Sequence, residues 1–356
     1  DVEQKTFLGE FQNELPDESH PFLRIDLNKC ILCGRCVRIC EEVVGAAALG
    51  FVKRGFDTHI RPALEKPLKE TTCISCGQCA DTCPTGALMV KPDLPKPGPF
   101  QLKGVPSVCN FCSVGCGILL EPVADRVVRV SSNREAPVND GGNLCKNGRF
   151  GFRMLNQGRL TRPLLRKNGD LQEVDWAEAY EFIRSRCTAI AADGAAGKLA
   201  VLAGPRLTNE EAYLVQKLAR SVWRTPHVAH LSALGYSDPA DLAAAAPATD
   251  YGRLAKAEFI LVLGGNTLEK FPILDFKLQK AARSGKTEVF YLHPDRTFLA
   301  ERAQRWIPLP ADKAPLFAKA VLADALNRWV TPDSMPGLAG LRDHLRDVRP
   351  ADVFRQ

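Results

Sequence analysis

One cysteine spacing occurs twice in this chain, as Cys30-Ile-Leu-Cys33-Gly-Arg-Cys36-Val-Arg-Ile-Cys40 and as Cys73-Ile-Ser-Cys76-Gly-Gln-Cys79-Ala-Asp-Thr-Cys83-Pro84. Both runs read C-x2-C-x2-C-x3-C, and twelve of the thirteen cysteines precede residue 146. A secreted disulfide scaffold of this cysteine density would be short and rich in loops throughout, whereas this chain has 356 residues. The spacing therefore favours metal ligation over disulfides.

The repeated spacing is that of bacterial two-cluster ferredoxins, where three close thiolates bind one four-iron cubane and the fourth binds the other. The predicted ligand sets are therefore crossed. The first cluster takes Cys30, Cys33, Cys36 and Cys83. The second takes Cys73, Cys76, Cys79 and Cys40, and Pro84 turns the chain after the last ligand. Zinc sites also use C-x2-C pairs, but a tetrahedral zinc ion needs no third and fourth cysteine at these offsets.

A third set of cysteines reads Cys109-Asn-Phe-Cys112-Ser-Val-Gly-Cys116 and is completed by Cys145. Four thiolates spaced C-x2-C-x3-C-x28-C suit one further cubane, and the long insert predicts a hairpin with strands at 117–120 and 127–130. A zinc ribbon is the alternative for this set, because a C-x2-C pair with two more cysteines can be tetrahedral. We expect three 4Fe-4S clusters, with these twelve cysteines as the iron ligands.

The segments around the cysteines resemble known families. The stretch from His20 to Arg38, with Arg54-Gly-Phe and Cys83-Pro-Thr-Gly-Ala-Leu, resembles the ferredoxin-type insert of NAD-linked formate dehydrogenase large subunits and iron hydrogenases. The third set, with Gly148-Arg-Phe-Gly151 and the run 159–166, is similar to the N-terminal domain of molybdopterin oxidoreductases and of the large iron-sulfur subunit of complex I type NADH dehydrogenases. The resemblance spans nearly the whole chain.

After residue 174 the pattern changes to alternating helices and strands. Capping boxes beginning at Asp175 and Thr208 predict two helices, the second running to about Trp223. The first helix is expected to bury four apolar side chains, Ala179, Phe182, Ile183 and Ile190. Cys187 on this helix is expected to be a buried core thiol. Short apolar strands at 198–203, 258–263 and 287–292 predict a parallel, doubly wound sheet.

Two loops at the ends of these strands, 264–272 and 293–297, resemble segments that hold a pterin guanine dinucleotide in molybdopterin enzymes. Three departures from that family lead us to expect that pterin and its molybdenum or tungsten are absent, and that the loops are ordinary turns. The Cys or selenocysteine followed by His in formate-oxidising members is replaced by the segment 233–239. A molybdenum ion could instead take an oxygen from Ser237 or Asp238, but the spacing gives no reason to prefer this. The relay Lys of catalytic members is Asn147 here, with the Lys displaced to Lys146. The third departure is that the sequence stops at Gln356, inside the first half of the pterin-binding region.

Composition excludes other classes of function. The formal net charge of +6 is modest and its charges are interspersed, so we expect no nucleic-acid partner. No apolar stretch approaches the roughly 18 residues of a membrane span. The histidines are dispersed, and His227 and His230, which could share a helical face, are assigned no site. No signal peptide is visible, and the chemistry leads us to expect a cytoplasmic protein, with a peripheral place on a membrane-associated complex left open.

The predicted organisation has five parts. They are an N-terminal extension (1–25), an α+β ferredoxin-like 2x(4Fe-4S) domain (26–92), a Pro-rich linker (93–106), a small β-rich 4Fe-4S domain (107–165) and a partial, degenerate α/β doubly wound domain of molybdopterin-oxidoreductase type (166–356).

The resemblance and the cluster count together predict an electron-transfer subunit of a multi-subunit oxidoreductase. Such a chain relays single electrons between an NADH- or flavin-binding partner subunit and a downstream acceptor, with other iron-sulfur or flavin subunits as neighbours. We expect no catalytic residue and no substrate chemistry on this chain. One alternative is a fragment of a catalytic molybdenum or tungsten bis-pterin formate dehydrogenase. The other, of a different class, is a zinc-stabilised scaffold module.

Overall fold

The computed structural model describes residues 13–91, 102–192, 196–204, 206–230, 250–254, 256–310, 312–328, 345 and 347–353. Up to residue 91 the α-helices and strands are β1 (Leu23–Ile25), α1 (Arg35–Arg38), β2 (Gly50–Val52), β3 (His59–Arg61), α2 (Gln78–Thr82) and β4 (Leu88–Val90). Strand β1 pairs antiparallel with β4, and β2 with β3. Because β1 precedes the first cysteine motif and β4 follows the second, their pairing brings the end of the second motif back beside the first.

The helix after the first motif changes its character before it ends. Helix α1 continues directly into a wider, π-helical segment, Ile39–Val44, and Gly45, with φ of 85°, ends it. Cys40 lies on this segment. A π-helical turn in a short helix is uncommon and is often found at functional sites.

The middle part contains β5 (Val105–Val108), β6 (Gly117–Val123), β7 (Arg126–Ser132), α3 (Lys146–Phe150), α4 (Arg153–Asn156), β8 (Leu164–Lys167) and β9 (Asp170–Glu173). Strands β5, β6 and β7 form an antiparallel sheet in that order, and β8 pairs with β9. The predicted hairpin is therefore present, with Ala124 at φ of 52° in its turn. Asn139 is buried and ties the two strands together, since its side chain bonds both backbone groups of Gly117 and the Ser132 hydroxyl.

The C-terminal part alternates helices and strands as predicted. Its elements are α5 (Trp176–Ala192), β10 (Val201–Ala203), α6 (Asn209–Lys217), β11 (Val228–His230), α7 (Tyr251–Leu254), β12 (Phe259–Leu263), α8 (Thr267–Lys270), α9 (Pro272–Arg283), β13 (Glu288–Leu292), α10 (Phe298–Arg302), β14 (Arg305–Ile307), α11 (Ala314–Arg328) and α12 (Pro350–Val353). Strands β10 and β11 are parallel, and so are β12, β13 and β14. The strands are parallel as predicted, but the described residues do not form the single sheet that was expected. Strand β10 pairs with β11 in one sheet, whereas β12, β13 and β14 form a separate sheet.

Some details of the C-terminal part differ from expectation. The capping box of Thr208 with Glu211 forms, but the strand expected from residue 198 starts at Val201 because a 3-10 turn occupies Ala196–Lys198. His227 and His230 flank and end a strand, so they share no helical face.

The buried stripe expected on α5 is wrong for two of its residues. Ala179 is buried, but Phe182 and Ile183 are 45% and 47% exposed. Cys187 is half-buried rather than enclosed in a core. Helical periodicity showed that α5 has an apolar side, but burial also requires a layer of protein against that side, and the described residues do not cover it.

The main hydrophobic core is shared by all three parts of the chain. It contains Leu23 of β1, Ile118 of β6 and Leu144 before α3, and it extends to Ile273 and Phe276 of α9. Eleven of the twelve motif cysteines, all except Cys33, line this same core. The cysteine-rich regions are thus held against each other and against the C-terminal part by apolar packing.

Candidate iron-sulfur centres

The two repeated motifs have the same backbone conformation. The residue before the second cysteine and the glycine after it have positive φ in both: Leu32 (53°) and Gly34 (69°), then Ser75 (59°) and Gly77 (74°). This conformation directs backbone N–H groups toward sulfur, since Leu32 donates to Cys30 Sγ and Ser75 to Cys73 Sγ, both at 3.4 Å. Because successive N–H groups of such a backbone point to one side, they favour negative charge there, and a thiolate-bound cluster carries negative charge.

Four thiols line a small cavity between the two motifs, and they are those of Cys30, Cys33, Cys36 and Cys83. We call this group the first thiol set. Burial and the neighbouring thiols Cys30, Cys83 and Cys33 raise the pKa of Cys36 to about 11. Burial alone would raise the pKa of Cys83 too, but N–H donors that include Leu88, at 3.5 Å from Sγ, lower it.

A second cavity is lined by Cys40, Cys73, Cys76 and Cys79, which form the second thiol set. The N–H of Ala48 donates to Cys40 Sγ at 3.3 Å, so the π-helical segment and the loop after it both position this ligand candidate. Burial raises the pKa of Cys76 to about 12 and that of Cys79 well above its ordinary value. These two thiols are the most deeply enclosed of the set.

The third thiol set consists of Cys109, Cys112, Cys116 and Cys145. The N–H of Cys109 donates to the Cys116 carbonyl at 2.8 Å, which closes the loop between them. A Cβ placed on Gly148 would lie 3.8 Å from Cys109 Sγ and 3.9 Å from Cys145 Sγ, so the loop and the start of α3 bring these sulfurs to one place. Burial, followed by the other three thiols of the set, raises the pKa of Cys116 to about 12.

The structure therefore groups the twelve cysteines into the same three sets that spacing predicts. Four sulfur donors around a shared space, with N–H groups directed at several sulfurs, fit a 4Fe-4S cubane. Where burial raises the pKa, the thiol is neutral near pH 7 without metal, so cluster assembly must displace protons from these sites. Ligation of iron by these residues stays a prediction.

Several positioning residues were not identified as such from the sequence. His20 is buried; its Nδ1 accepts from the N–H groups of Phe22 and Leu23, and its Nε2 lies 3.2 Å from Ser75 Oγ in the second motif. Burial lowers the pKa of His20, which favours the neutral ring. Gln78 and Arg149, both buried, connect the second set to the third. Of these residues, His20 and Arg149 lie in stretches that resemble known families, but no spacing indicated their contacts.

The C-terminal part holds the segment that carries Cys40. Gln279 of α9 donates to the Val44 carbonyl at 3.3 Å, and Arg302 of α10 donates to Glu41 O at 3.0 Å and to Gly45 O at 3.4 Å. Arg283 donates to the carbonyls of Glu41 and Glu42. These donors satisfy carbonyl groups at the end of a helix, where cations are favourable.

The displaced lysine and the loops that resemble pterin-binding segments have structural partners within this chain. Lys146 places its Nζ over the Phe22 ring, 5.4 Å from the centroid, and Asn147 is exposed. In the two loops, Tyr291 donates to Gly265 O at 3.1 Å and Trp306 to His293 O at 2.8 Å. The segment 233–239, with Ser237 and Asp238, and most of the Pro-rich linker lie outside the described residues.

Models of known families match most of the chain, between residues 20 and 321. The NADH-quinone oxidoreductase subunit 3 ferredoxin-like domain matches residues 20–89, a 4Fe-4S dicluster domain 72–118, the molybdopterin oxidoreductase Fe4S4 domain 102–157 and molybdopterin oxidoreductase itself 159–321. Residues 102–157 and 159–321 belong to the molybdopterin oxidoreductase superfamily. The resemblance inferred from the sequence is thereby confirmed, and this chain combines that superfamily's Fe4S4 domain with a ferredoxin-type region.

Two superfamily relatives illustrate the range of similar proteins. An NADH-quinone oxidoreductase subunit of Rhizobium meliloti is 37% identical over 76% of this chain and 31% of its own length. A putative formate dehydrogenase of Staphylococcus aureus is 29% identical over 80% of this chain and 33% of its own length. The chain thus spans about a third of the length of these curated relatives.

A solved structure shows a shared fold. Acetylene hydratase from Pelobacter acetylenicus superposes with a TM-score of 0.52 at 18% identity, covering 71% of this chain and 36% of the hydratase.

Among the described residues, none of the helices combines the length and the apolar character that crossing a bilayer requires.

Proposed function

We propose that this protein is an iron-sulfur electron-transfer subunit of a multi-subunit oxidoreductase. It relays single electrons through three 4Fe-4S clusters, bound by the three thiol sets, between an NADH- or flavin-binding partner subunit and a downstream acceptor. The observation that carries the proposal is the gathering of twelve cysteines into three groups of four. A cubane changes its oxidation state by one electron, so three in one chain suit a relay.

The contacts between the thiol sets support a linear order. The thiol of Cys36 is near enough to Cys79 to contribute to the raised pKa of Cys79, which supports a position of the first set beside the second. The guanidinium of Arg149, four residues after Cys145, bonds the Cys76 carbonyl, which places the second set beside the third. The second cluster therefore occupies the middle of the relay.

The partner is proposed from the relative whose name specifies NADH and quinone. In this proposal the protein supplies the ligands, hydrogen bonds to sulfur and exclusion of water that set each cluster potential, and the partner supplies the two-electron chemistry. The relay requires no molybdenum or tungsten pterin. The second candidate, a fragment of a pterin-dependent formate dehydrogenase, is favoured by the relative that bears that name.

Anaerobic purification followed by metal analysis tests the proposal. We expect about twelve irons per chain, following from three cubanes, and EPR signals of reduced cubanes after dithionite. Stoichiometric molybdenum or tungsten with pterin would instead establish the formate dehydrogenase candidate. Zinc in place of iron, with no reduced-cubane signal, would overturn the relay and support a scaffold. The partner is tested separately, by reduction of the clusters with NADH in the purified complex.

A further inference from the structure

Arg149 is a buried cation at the contact between the second and third thiol sets. Helix α3 positions it, since its backbone N–H donates to the Cys145 carbonyl at 3.0 Å. The side chain is turned back to the second motif, where Nε donates to Cys76 O at 3.0 Å and Nη2 donates to Gln78 Oε1 at 2.7 Å. The residue is 4% exposed, so nearly all of its charge is shielded from water. In the sequence Arg149 follows Cys145 of the third set, but its side chain bonds residues of the second motif.

Gln78 completes this junction from the other side. Its Oε1 also accepts the Leu144 N–H at 3.3 Å, and its Nε2 donates to Asn143 Oδ1. Gln78 precedes Cys79 directly, and Leu144 precedes Cys145 directly. A path made of covalent bonds and one hydrogen bond therefore joins a ligand candidate of the second set to one of the third. Gln78 thus orients the guanidinium and links the two loops.

The charge of Arg149 is only partly compensated. Its ion-pair partner is Asp81, with Nη1 and Oδ1 3.3 Å apart, and the Asp81 side chain is 31% exposed while that of Arg149 is 5% exposed. A guanidinium remains charged at any relevant pH. Water screens the outer carboxylate more than the inner cation, so the net field inside the protein is positive. Reduction adds negative charge to a cluster, and a buried cation favours the reduced form.

We propose that Arg149, seated by Gln78, is a positioning residue that raises the reduction potential of the second cluster, and so sets how electrons distribute between the second and third clusters. The inference rests on the proposed function, because it requires a cluster on each of these thiol sets. It assigns the effect to the second cluster, since the guanidinium bonds the carbonyl of its ligand Cys76.

Redox titration of the full chain, followed by EPR of each cluster, tests this assignment. Arg149→Met should lower the equilibrium constant for one-electron reduction of the second cluster at least tenfold, which corresponds to a reduction potential lower by about 59 mV. Arg149→Lys, which keeps the charge, should recover most of that loss. Asp81→Asn should shift the same cluster in the opposite direction, because it removes the compensating carboxylate. The matched control is Arg129→Met. Arg129 lines the same cleft as Arg149, but it is paired with Glu121 and its side chain is 43% exposed. Its removal should leave the potential of the second cluster unchanged.

The outcomes separate this inference from the function on which it rests. Parent protein that lacks three clusters contradicts the proposed function. Parent protein with three clusters, but with no opposite shifts between Arg149→Met and Asp81→Asn, overturns the inference alone. If Arg149→Met fails to fold, Asp81→Asn and Arg149→Lys still decide, and an unchanged second-cluster potential in Asp81→Asn overturns the inference. Equal shifts of all three clusters also overturn it, since they indicate a general structural change.

Discussion

The first and second thiol sets share one cysteine spacing and one backbone conformation, yet their surroundings differ. In the first set Cys33 is exposed, and Ile31, which directly follows Cys30, is 64% exposed. In the second set Cys76 and Cys79 are buried, and His20 covers the loop between Cys73 and Cys76. The motif therefore determines how thiols are presented, while the rest of the chain determines how much water and charge reach them. Cluster potentials depend on those surroundings.

Removing the fourth ligand of each set in turn is the strongest test that the two sets are separate. We expect Cys40→Ala to remove the second cluster and Cys83→Ala to remove the first, each with a loss of about four of about twelve irons. Iron analysis and site-resolved EPR measure the result. Loss of the first cluster in Cys40→Ala would show that the ligation is not crossed.

In iron-free protein that keeps its fold, alkylation rates should differ between Cys83 of the first set and Cys76 of the second. At pH 8 a thiol with the pKa of Cys76, about 12, is ionised in about one molecule in ten thousand. Cys83, whose pKa is lowered, should react with iodoacetamide at least ~100-fold faster. A time course by peptide mass spectrometry measures both rates, and the urea-unfolded chain, where the two should react alike, is the control. Similar alkylation rates of Cys76 and Cys83 in the folded chain would contradict the difference in their surroundings.

The equivalent glycines should differ in their tolerance of a side chain. Gly34→Ala and Gly77→Ala both place alanine at positive φ, which costs about 1–2 kcal/mol. A Cβ on Gly77 also lies 2.6 Å from Arg149 Cδ in the interior, whereas at Gly34 the nearest atom is 3.0 Å away on the exposed Phe51. Gly77→Ala should therefore lose about 1–2 kcal/mol more than Gly34→Ala, measured by urea unfolding. Equal losses would mean that the second motif is no more tightly enclosed.

Mild acid should weaken the second motif through His20, with the smallest of these effects. Burial lowers the pKa of His20 in the folded chain, so below its ordinary value of about 6.5 the unfolded chain binds the extra proton. Stability should fall as the pH drops from about 7.5 to about 5.5. His20→Asn keeps an acceptor for the N–H groups of Phe22 and Leu23, and its melting temperature should fall less over that interval. An identical fall in parent and variant would exclude His20 as a cause.

Much of the local structure could be predicted from the sequence, because it depends on residues close together in the chain. The grouping of Cys30, Cys33 and Cys36, the hairpin around Ala124 and the parallel strands all follow from spacing or periodicity. Even the placement of Cys83 with the first set was predictable, since the motif occurs twice. Whether the apolar side of α5 is buried was not predictable, because burial depends on a neighbouring layer and not on the helix.

The contacts between motifs were also beyond sequence reasoning. Gln78 and Arg149 are 71 residues apart, and Gln279 bonds Val44 across 235 residues. No spacing rule links polar residues at such separations without a ligand pattern to connect them. Their significance emerges only once the thiol sets are placed in space.

The way in which α9 and α10 hold the Cys40 segment has an evolutionary consequence. Gln279, Arg283 and Arg302 bond backbone carbonyls of residues 41–45, and every amino acid supplies a carbonyl. We therefore expect the side chains of Glu41 and Glu42 to vary between species more than the three donors do. Gly45 is the exception on the accepting side, because any Cβ there would overlap Gln279. A comparison of orthologues should find constancy on the distant helices and variability beside the cysteine itself.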